Sequence, residues 1–217
     1  MAQLCSLVEF LALENNNVCI SGGASGADTK WATQCAINGI EVTIMSFQDH
    51  RCTLDYSCYR VVLTPKELND ARVALVEANQ FLKRKNVESN YLKRDFYQIK
   101  FAESVYAVGW FSEDSKVPGA VNIKGGTAWG CQLFILRYAK KFGLFANKKS
   151  LTVPLYFFDM FQNKWFQALA QTNSFQVTKV EWHVIEQPAK PSGKFAGIGS
   201  RDMNRDGSDA IENILQL

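Results

Sequence analysis

The segment Phe195-Ala-Gly-Ile-Gly-Ser-Arg-Asp202 restricts the fold more than any other stretch of this 217-residue chain. It reads as a buried strand entering a glycine turn and a helix start, yet fifteen residues follow it. Near the other end, Val18-Cys-Ile-Ser-Gly-Gly-Ala-Ser-Gly-Ala-Asp28 has the same order of strand, glycine loop and helix, preceded by a helical pattern with no strand before it. The two ends read as halves of one unit. The expectation is one circularly permuted α/β domain spanning residues 1–217, its usual first strand placed C-terminally and inserted beside Val18–Ile20. A strand exchanged with a partner chain and a truncated tandem repeat are the alternatives.

Periodicity fills in the rest. Leu4, Leu7, Val8, Leu11 and Ala12 recur at helical spacing over Gln3 to Leu13. Val18 to Ile20, the helix Ala27 to Ile37 and the strand Glu41 to Phe47 form a βαβ unit, for which a right-handed crossover is expected. Gln48 to Tyr59 is polar and irregular. Pro65 to Lys85 reads as a helix with Pro and Glu67 at its start and Lys83-Arg84-Lys85 at its end, as the helix dipole favours. A helix over Asn90 to Phe101, a strand over Ser104 to Trp110 and an excursion through Pro118-Gly119 follow. A third glycine loop, Gly125-Gly-Thr-Ala-Trp-Gly130, opens a helix to about Lys141. Strands are expected at Leu151 to Asp159 and Phe175 to Ile185, and Gln187 to Lys194 is too short a linker to separate two domains. This alternation predicts a three-layer, Rossmann-like, mostly parallel sheet covered on both faces.

Composition excludes several classes. An apolar content of 47% suits one folded core, and a net charge of +3 lacks the concentrated basic stripe of a dedicated nucleic-acid binder. The six cysteines contain no CxxC pair, and Cys52 and Cys58 lack the further ligands of a zinc knuckle. Reduced buried thiols are expected, with no metal. The chain has no signal-peptide pattern and no apolar run long enough to span a bilayer, so a soluble, cytoplasmic protein is expected.

In an open α/β sheet the ligand crevice lies outside the carboxyl ends of the strands. Glycines there admit phosphate to the backbone, and the following helix N-terminus offers unpaired N–H groups and partial positive charge. One such loop is weak support for a site, since glycines also simply make tight turns. Three in one domain point to a shared anion or nucleotide site. Its candidate residues are Ser21, Gly22, Gly23, Gly26 and Asp28; Gly125, Gly126, Thr127, Trp129 and Gln132; and Gly197, Gly199, Ser200 and Arg201.

On Ser21-Gly-Gly-Ala-Ser-Gly-Ala-Asp28, Gly125-Gly-Thr-Ala-Trp-Gly-Cys-Gln132 and Ala196-Gly-Ile-Gly-Ser-Arg-Asp202, the chain resembles the SLOG-type Rossmann superfamily. That superfamily joins the DNA-processing protein A fold with the lysine-decarboxylase-like phosphoribohydrolases. The similarity is strongest to its small, often phage-encoded members, in which the last of these loops comes first. The resemblance implies a nucleotide-type ligand with no required cofactor, a homo-oligomer, and a basic residue such as Arg94 directed at the site. Helices Pro65 to Lys85 and Asn90 to Phe101 are candidate oligomer faces. In the hydrolase branch a GGxGTxxE loop supplies a catalytic glutamate; here Ala128 replaces its middle glycine and Gln132 stands at the glutamate position. An amide cannot act as a carboxylate base.

Other carboxylates could substitute, with Asp28 and Asp202 best placed beyond glycine turns, and Asp159 or the Glu113-Asp114 pair as further choices. Helix capping is the competing role for Asp28 and Asp202. Arg201 either grips phosphate or forms a surface ion pair. Trp129 and Trp31 either stack on a base or belong to the core. His50 follows a strand on the ligand edge, and His183 lies in an alternating strand; neither has a nucleophile partner by spacing. Three functions follow: binding of a nucleoside monophosphate or ADP-ribose-like molecule as a sensor or sequestering module, cleavage or transfer at an N-glycosidic bond, and binding of single-stranded nucleic acid, which the modest charge disfavours.

Overall fold

A computed structural model describes residues 3–11, 17–50, 52, 58–85, 87–113, 117–142, 150–173 and 176–216. The strands are β1 (Gln3–Cys5), β2 (Asn17–Ser21), β3 (Glu41–Phe47), β4 (Tyr59–Leu63), β5 (Ser104–Gly109), β6 (Ser150–Asp159), β7 (Lys164–Thr172), β8 (Val177–Ile185) and β9 (Gly193–Gly199). The helices are α1 (Leu7–Leu11), α2 (Ala27–Ile37), α3 (Pro65–Asp70), α4 (Arg72–Leu82), α5 (Asn90–Lys100), α6 (Thr127–Phe142) and α7 (Arg205–Gln216). They form an α/β fold around one nine-stranded sheet in the order β1-β4-β3-β2-β9-β5-β6-β7-β8. Every pairing from β1 to β6 is parallel, and β7 and β8 are added antiparallel at one edge.

The last strand is central. β9 pairs with β2 from Asn17–Gly193 to Ile20–Ala196 and with β5 from Ser104–Phe195 to Val108–Gly199, all within one chain. A strand between two parallel neighbours is covered on both faces, so a continuous apolar run is what it requires. Phe195 packs with Trp31, Ile211 and Ile214 on one face, while Ala196 and Ile198 join the core under α4, α5 and α6 on the other. Gly197 fits because a Cβ there would lie 2.5 Å from the Trp31 ring. Helix α7 returns over the sheet to pack with α2, burying Ile211, Ile214 and Leu215 completely.

Several elements differ from expectation. Gln3 to Leu13 is not one helix: Gln3–Cys5 pairs with β4 at the sheet edge, and the helix is limited to Leu7–Leu11, with Ala12 and Leu13 outside the described residues. Its helical-period apolar residues are the wrong ones for a core, since Leu4, Val8 and Leu11 are exposed and Phe10 is buried. Backbone pairing at the open edge of β4 replaces the helix. Strand β4 follows directly on the irregular segment, and β7 is an additional strand that makes the sheet mixed. The long helix is two: Thr64 and Glu67 close a capping box at the start of α3, the chain breaks at Ala71, and α4 ends at Leu82 because Lys83 adopts φ 52°. Among the described residues no helix is long and apolar enough to cross a membrane. All six cysteines are free thiols.

Candidate functional site

The three glycine loops meet at the carboxyl ends of β2, β9 and β5, around a cleft of about 540 Å³. That volume is in the range of small-molecule sites. The loops after β2 and β9 are bonded to each other: Ala27 N–H donates to the Ser200 carbonyl at 3.0 Å. Gly26, at φ 88°, permits this approach, since a Cβ there would stand 2.4 Å from the Arg201 carbonyl oxygen. Ser21, wholly buried, donates from its hydroxyl to the Asp28 carbonyl at 2.8 Å and so braces the loop from behind.

The third loop is different in kind. At Gly125 and Gly126 an added Cβ would meet no atom within 4 Å, so this backbone faces open space at the N-terminus of α6. Sixteen-residue α6 begins here, and the first turn of a helix lacks intrahelical carbonyl partners for its N–H groups, of which Trp129 N–H turns back to the Gly126 carbonyl at 2.9 Å. Beside them Arg84 is fixed by its guanidinium, whose Nη1 donates to the Gly125 carbonyl at 2.7 Å and Nη2 to the Ile123 carbonyl at 3.3 Å. Backbone donors, a helix terminus and a positioned arginine make this end suited to an anion.

Helix α5 supplies the wall that sequence reasoning underestimated. Arg94, 3% exposed, donates from Nη1 to Asp28 Oδ2 at 3.1 Å and to Gln98 Oε1 at 3.1 Å, and lies 3.2 Å from Asp95 Oδ1. Gln98 in turn donates to the carbonyls of Gly197 at 3.1 Å and Ile20 at 3.4 Å, anchoring α5 beneath the two central strands. Burial raises the pKa of Asp28, against the pull of Arg94 and of the Ala24 and Gly199 N–H groups. Burial likewise pushes Asp95 up to about 7, where Arg94 lowers it and Asp28 raises it further.

At the mouth, the Arg201 guanidinium lies 5.5 Å from the centre of the half-exposed Tyr91 ring. Behind Tyr91 is His50, buried, stacked on Phe47 at 4.9 Å, with Nδ1 at 3.1 Å from Ser46 Oγ. Burial, with Arg94, Arg60 and Arg201 nearby, lowers His50 to about 4, so it is neutral at physiological pH.

The cleft is lined by Asp28, Arg94, Gly125, Gly126, Thr127, Trp129, Gly199, Ser200, Arg201 and Asp202 from among the expected residues. Ser21, Gly22, Gly23, Gly26, Gly197 and Gln132 stand behind it as supports. Gln132 is wholly buried, its Oε1 accepting from Val121 N–H and its Nε2 donating to the Gly119 carbonyl, both at 3.1 Å. Asp159 is used in the same way, accepting from the N–H groups of Phe111 and Gln162, and Asp114 lies outside the described residues. Trp31 is sealed in the core and Trp129 is 2% exposed. Arg84, Tyr91, Asp95 and Gln98 also line the cleft and were not singled out from sequence. For Tyr91, Asp95 and Gln98 the signal was their spacing with Arg94, one polar stripe on α5, whereas Arg84 read only as part of the basic end of the helix before it. Among the described residues no three His, Cys, Asp or Glu side chains are grouped to hold a metal ion. Comparison of the chain with family models, with curated proteins and with solved structures finds no match.

Proposed function

We propose that the cleft binds a nucleotide or nucleotide derivative, of the nucleoside monophosphate or ADP-ribose type, as a sensor or sequestering module. The observation that carries this reading is the convergence of three glycine loops, the α6 N-terminus and Arg84 on one cleft of about 540 Å³. Phosphate would lie at Gly125–Thr127, with Arg84 beside it and Arg201 at the mouth. The base would lie against Tyr91, the partly exposed aromatic ring of the lining, once Arg201 moves off it to the phosphate.

A superfamily relationship of the SLOG type, with β9 as a transposed first strand, belongs to this proposal, as do a cytoplasmic setting and a homo-oligomer. Glycosidic cleavage is the second reading, favoured by the carboxylates of Asp28 and Asp95 in the cleft. Against it, Gln132 is spent on backbone groups of the Gly119–Val121 segment. Nucleic-acid binding ranks third, because the cleft sets Arg84, Arg94 and Arg201 against Asp28, Asp95 and Asp202, a balance that does not favour a polyanion.

Native mass spectrometry of protein purified from cells, followed by thermal shift with a nucleotide panel, is the test. A co-purifying nucleotide-sized mass, or stabilisation by a panel member, is expected. A clean apo mass with no shift across the panel would remove the reading. Release of free base from a bound nucleotide, lost in Asp95→Asn, would move the conclusion to the enzymatic alternative.

A further inference from the structure

Arg94 carries more negative charge around it than one guanidinium neutralises. Its Nη1 is shared between Asp28 Oδ2 at 3.1 Å and Asp95 Oδ1 at 3.2 Å, while its buried Nε has no partner among the described residues. The charged groups that share the cleft with Asp95 come from four segments. Helix α5 contributes Arg94 and the Tyr91 phenol, α2 contributes Asp28, the turn after β9 contributes Arg201 and Asp202, and the segment after α4 contributes Arg84. Behind Tyr91, His50 is neutral and adds no charge.

With every carboxylate ionised, three guanidinia face three carboxylates, and an incoming anion makes the cleft net negative. The imbalance is relieved most cheaply by a proton on one carboxylate. Asp28 is the poorer choice, since Arg94 and the N–H groups of Ala24 and Gly199 all favour its ionised form. Asp95 has no such backbone donors among its interactions, and its side chain is 21% exposed, within reach of water. Near neutrality it already holds a proton part of the time.

We propose that the cleft takes up its anionic ligand together with a proton, which is held by the Asp95 carboxyl. The inference rests on the nucleotide reading above and adds how that site is regulated. A protonated Asp95 changes from acceptor to donor, so its O–H can face a ligand oxygen. It also ceases to compete for Arg94, whose charge then acts on the same ligand. No covalent bond changes; the proton comes from solvent and returns to it on release.

The test is calorimetric titration of the full chain with ADP-ribose, whose phosphates do not titrate near neutrality, in two buffers of different ionisation enthalpy. Wild type is expected to take up about half a proton per ligand at pH 7 and nearly one at pH 8. Affinity should fall roughly tenfold between pH 6 and pH 8. Asp95→Asn, which keeps a donor and cannot titrate, should bind with no proton uptake and no pH dependence. Asp209→Asn, an exposed carboxylate of α7 outside the cleft, should retain both as a control. Binding by wild type that is independent of buffer and pH overturns the inference and leaves the nucleotide reading standing, as does proton uptake that persists in Asp95→Asn. If neither ADP-ribose nor the nucleoside monophosphates bind wild type, both fall.

Discussion

Gly22 and Arg94 occupy the same space, since a Cβ on residue 22 would stand 1.2 Å from the Arg94 Nη1. The glycine is therefore required by a side chain 72 positions away, and not by its own backbone angles. The close approach is what lets the guanidinium reach Asp28 beneath the loop.

Gly22→Ala should displace Arg94 and destabilise the protein by about 1–3 kcal/mol, the usual cost of forcing extra atoms into a packed interior. Denaturant unfolding measures it. In an Arg94→Ala background the closest clash is gone and Asp28 Oδ2, 2.4 Å from the same Cβ, is released from its ion pair, so the penalty should shrink. An equal penalty in both backgrounds would mean that the clash is not with Arg94.

Asp95 should make stability fall as pH rises from about 4 to about 7. Its folded pKa is raised, so in that window the native state holds a proton that the unfolded chain has lost. The slope is therefore negative, up to about 1.4 kcal/mol per pH unit, and ends above the folded pKa. Urea titrations at pH 5 and pH 8 on wild type and Asp95→Asn isolate the term. A variant with the same pH slope as wild type would show that another group titrates.

Gln132→Glu introduces a carboxylate at the position where the hydrolase loop that this segment resembles has its glutamate, and should still confer no glycosidase activity. The side chain is wholly buried, away from the cleft. It should instead destabilise by about 1–3 kcal/mol or more, because the Gly119 carbonyl loses its donor and faces a buried acid. Thermal unfolding beside a base-release assay gives both readings at once.

Tyr91→Ala should weaken nucleotide binding about 5- to 100-fold, the range expected for loss of one base–aromatic stack. Inhibition by inorganic phosphate should change little, because the proposed phosphate end is Gly125–Thr127 with Arg84, away from Tyr91. Competition of phosphate against a fluorescent nucleotide separates the two. Equal loss for both ligands would place the base elsewhere.

Deleting residues 193–217 should leave no cooperatively folding protein. The cut exposes facing edges of β2 and β5 and removes Phe195, Ile211, Ile214 and Leu215 from the core. Circular dichroism and a melting curve suffice. A folded remainder would mean that β9 is an appendage.

The chain by itself determined the architecture wherever burial is two-sided. Phe195–Gly199 and Val18–Ser21 are largely apolar runs that lead into glycine turns, and such runs suit a place between parallel neighbours, so the central place of β9 was legible in the sequence. The edges were not: β1, β4 and β7 depend on which backbone groups lie open beside them, and Leu4 and Val8, apolar yet exposed, imitate a helix face. The same division holds for the site. Glycine loops state their purpose locally, because the turn and the helix N-terminus are made by adjacent residues. The α5 wall does not, since Tyr91, Arg94, Asp95 and Gln98 form a polar stripe that sequence cannot distinguish from a solvated one. Only the packing of α5 beneath β2 and β9 turns that stripe inward, where burial raises Asp95 and Gly22 makes room for Arg94. Gln132 is the converse case, a residue of a glycine-loop segment that tertiary contacts with Gly119 and Val121 have drawn into the scaffold.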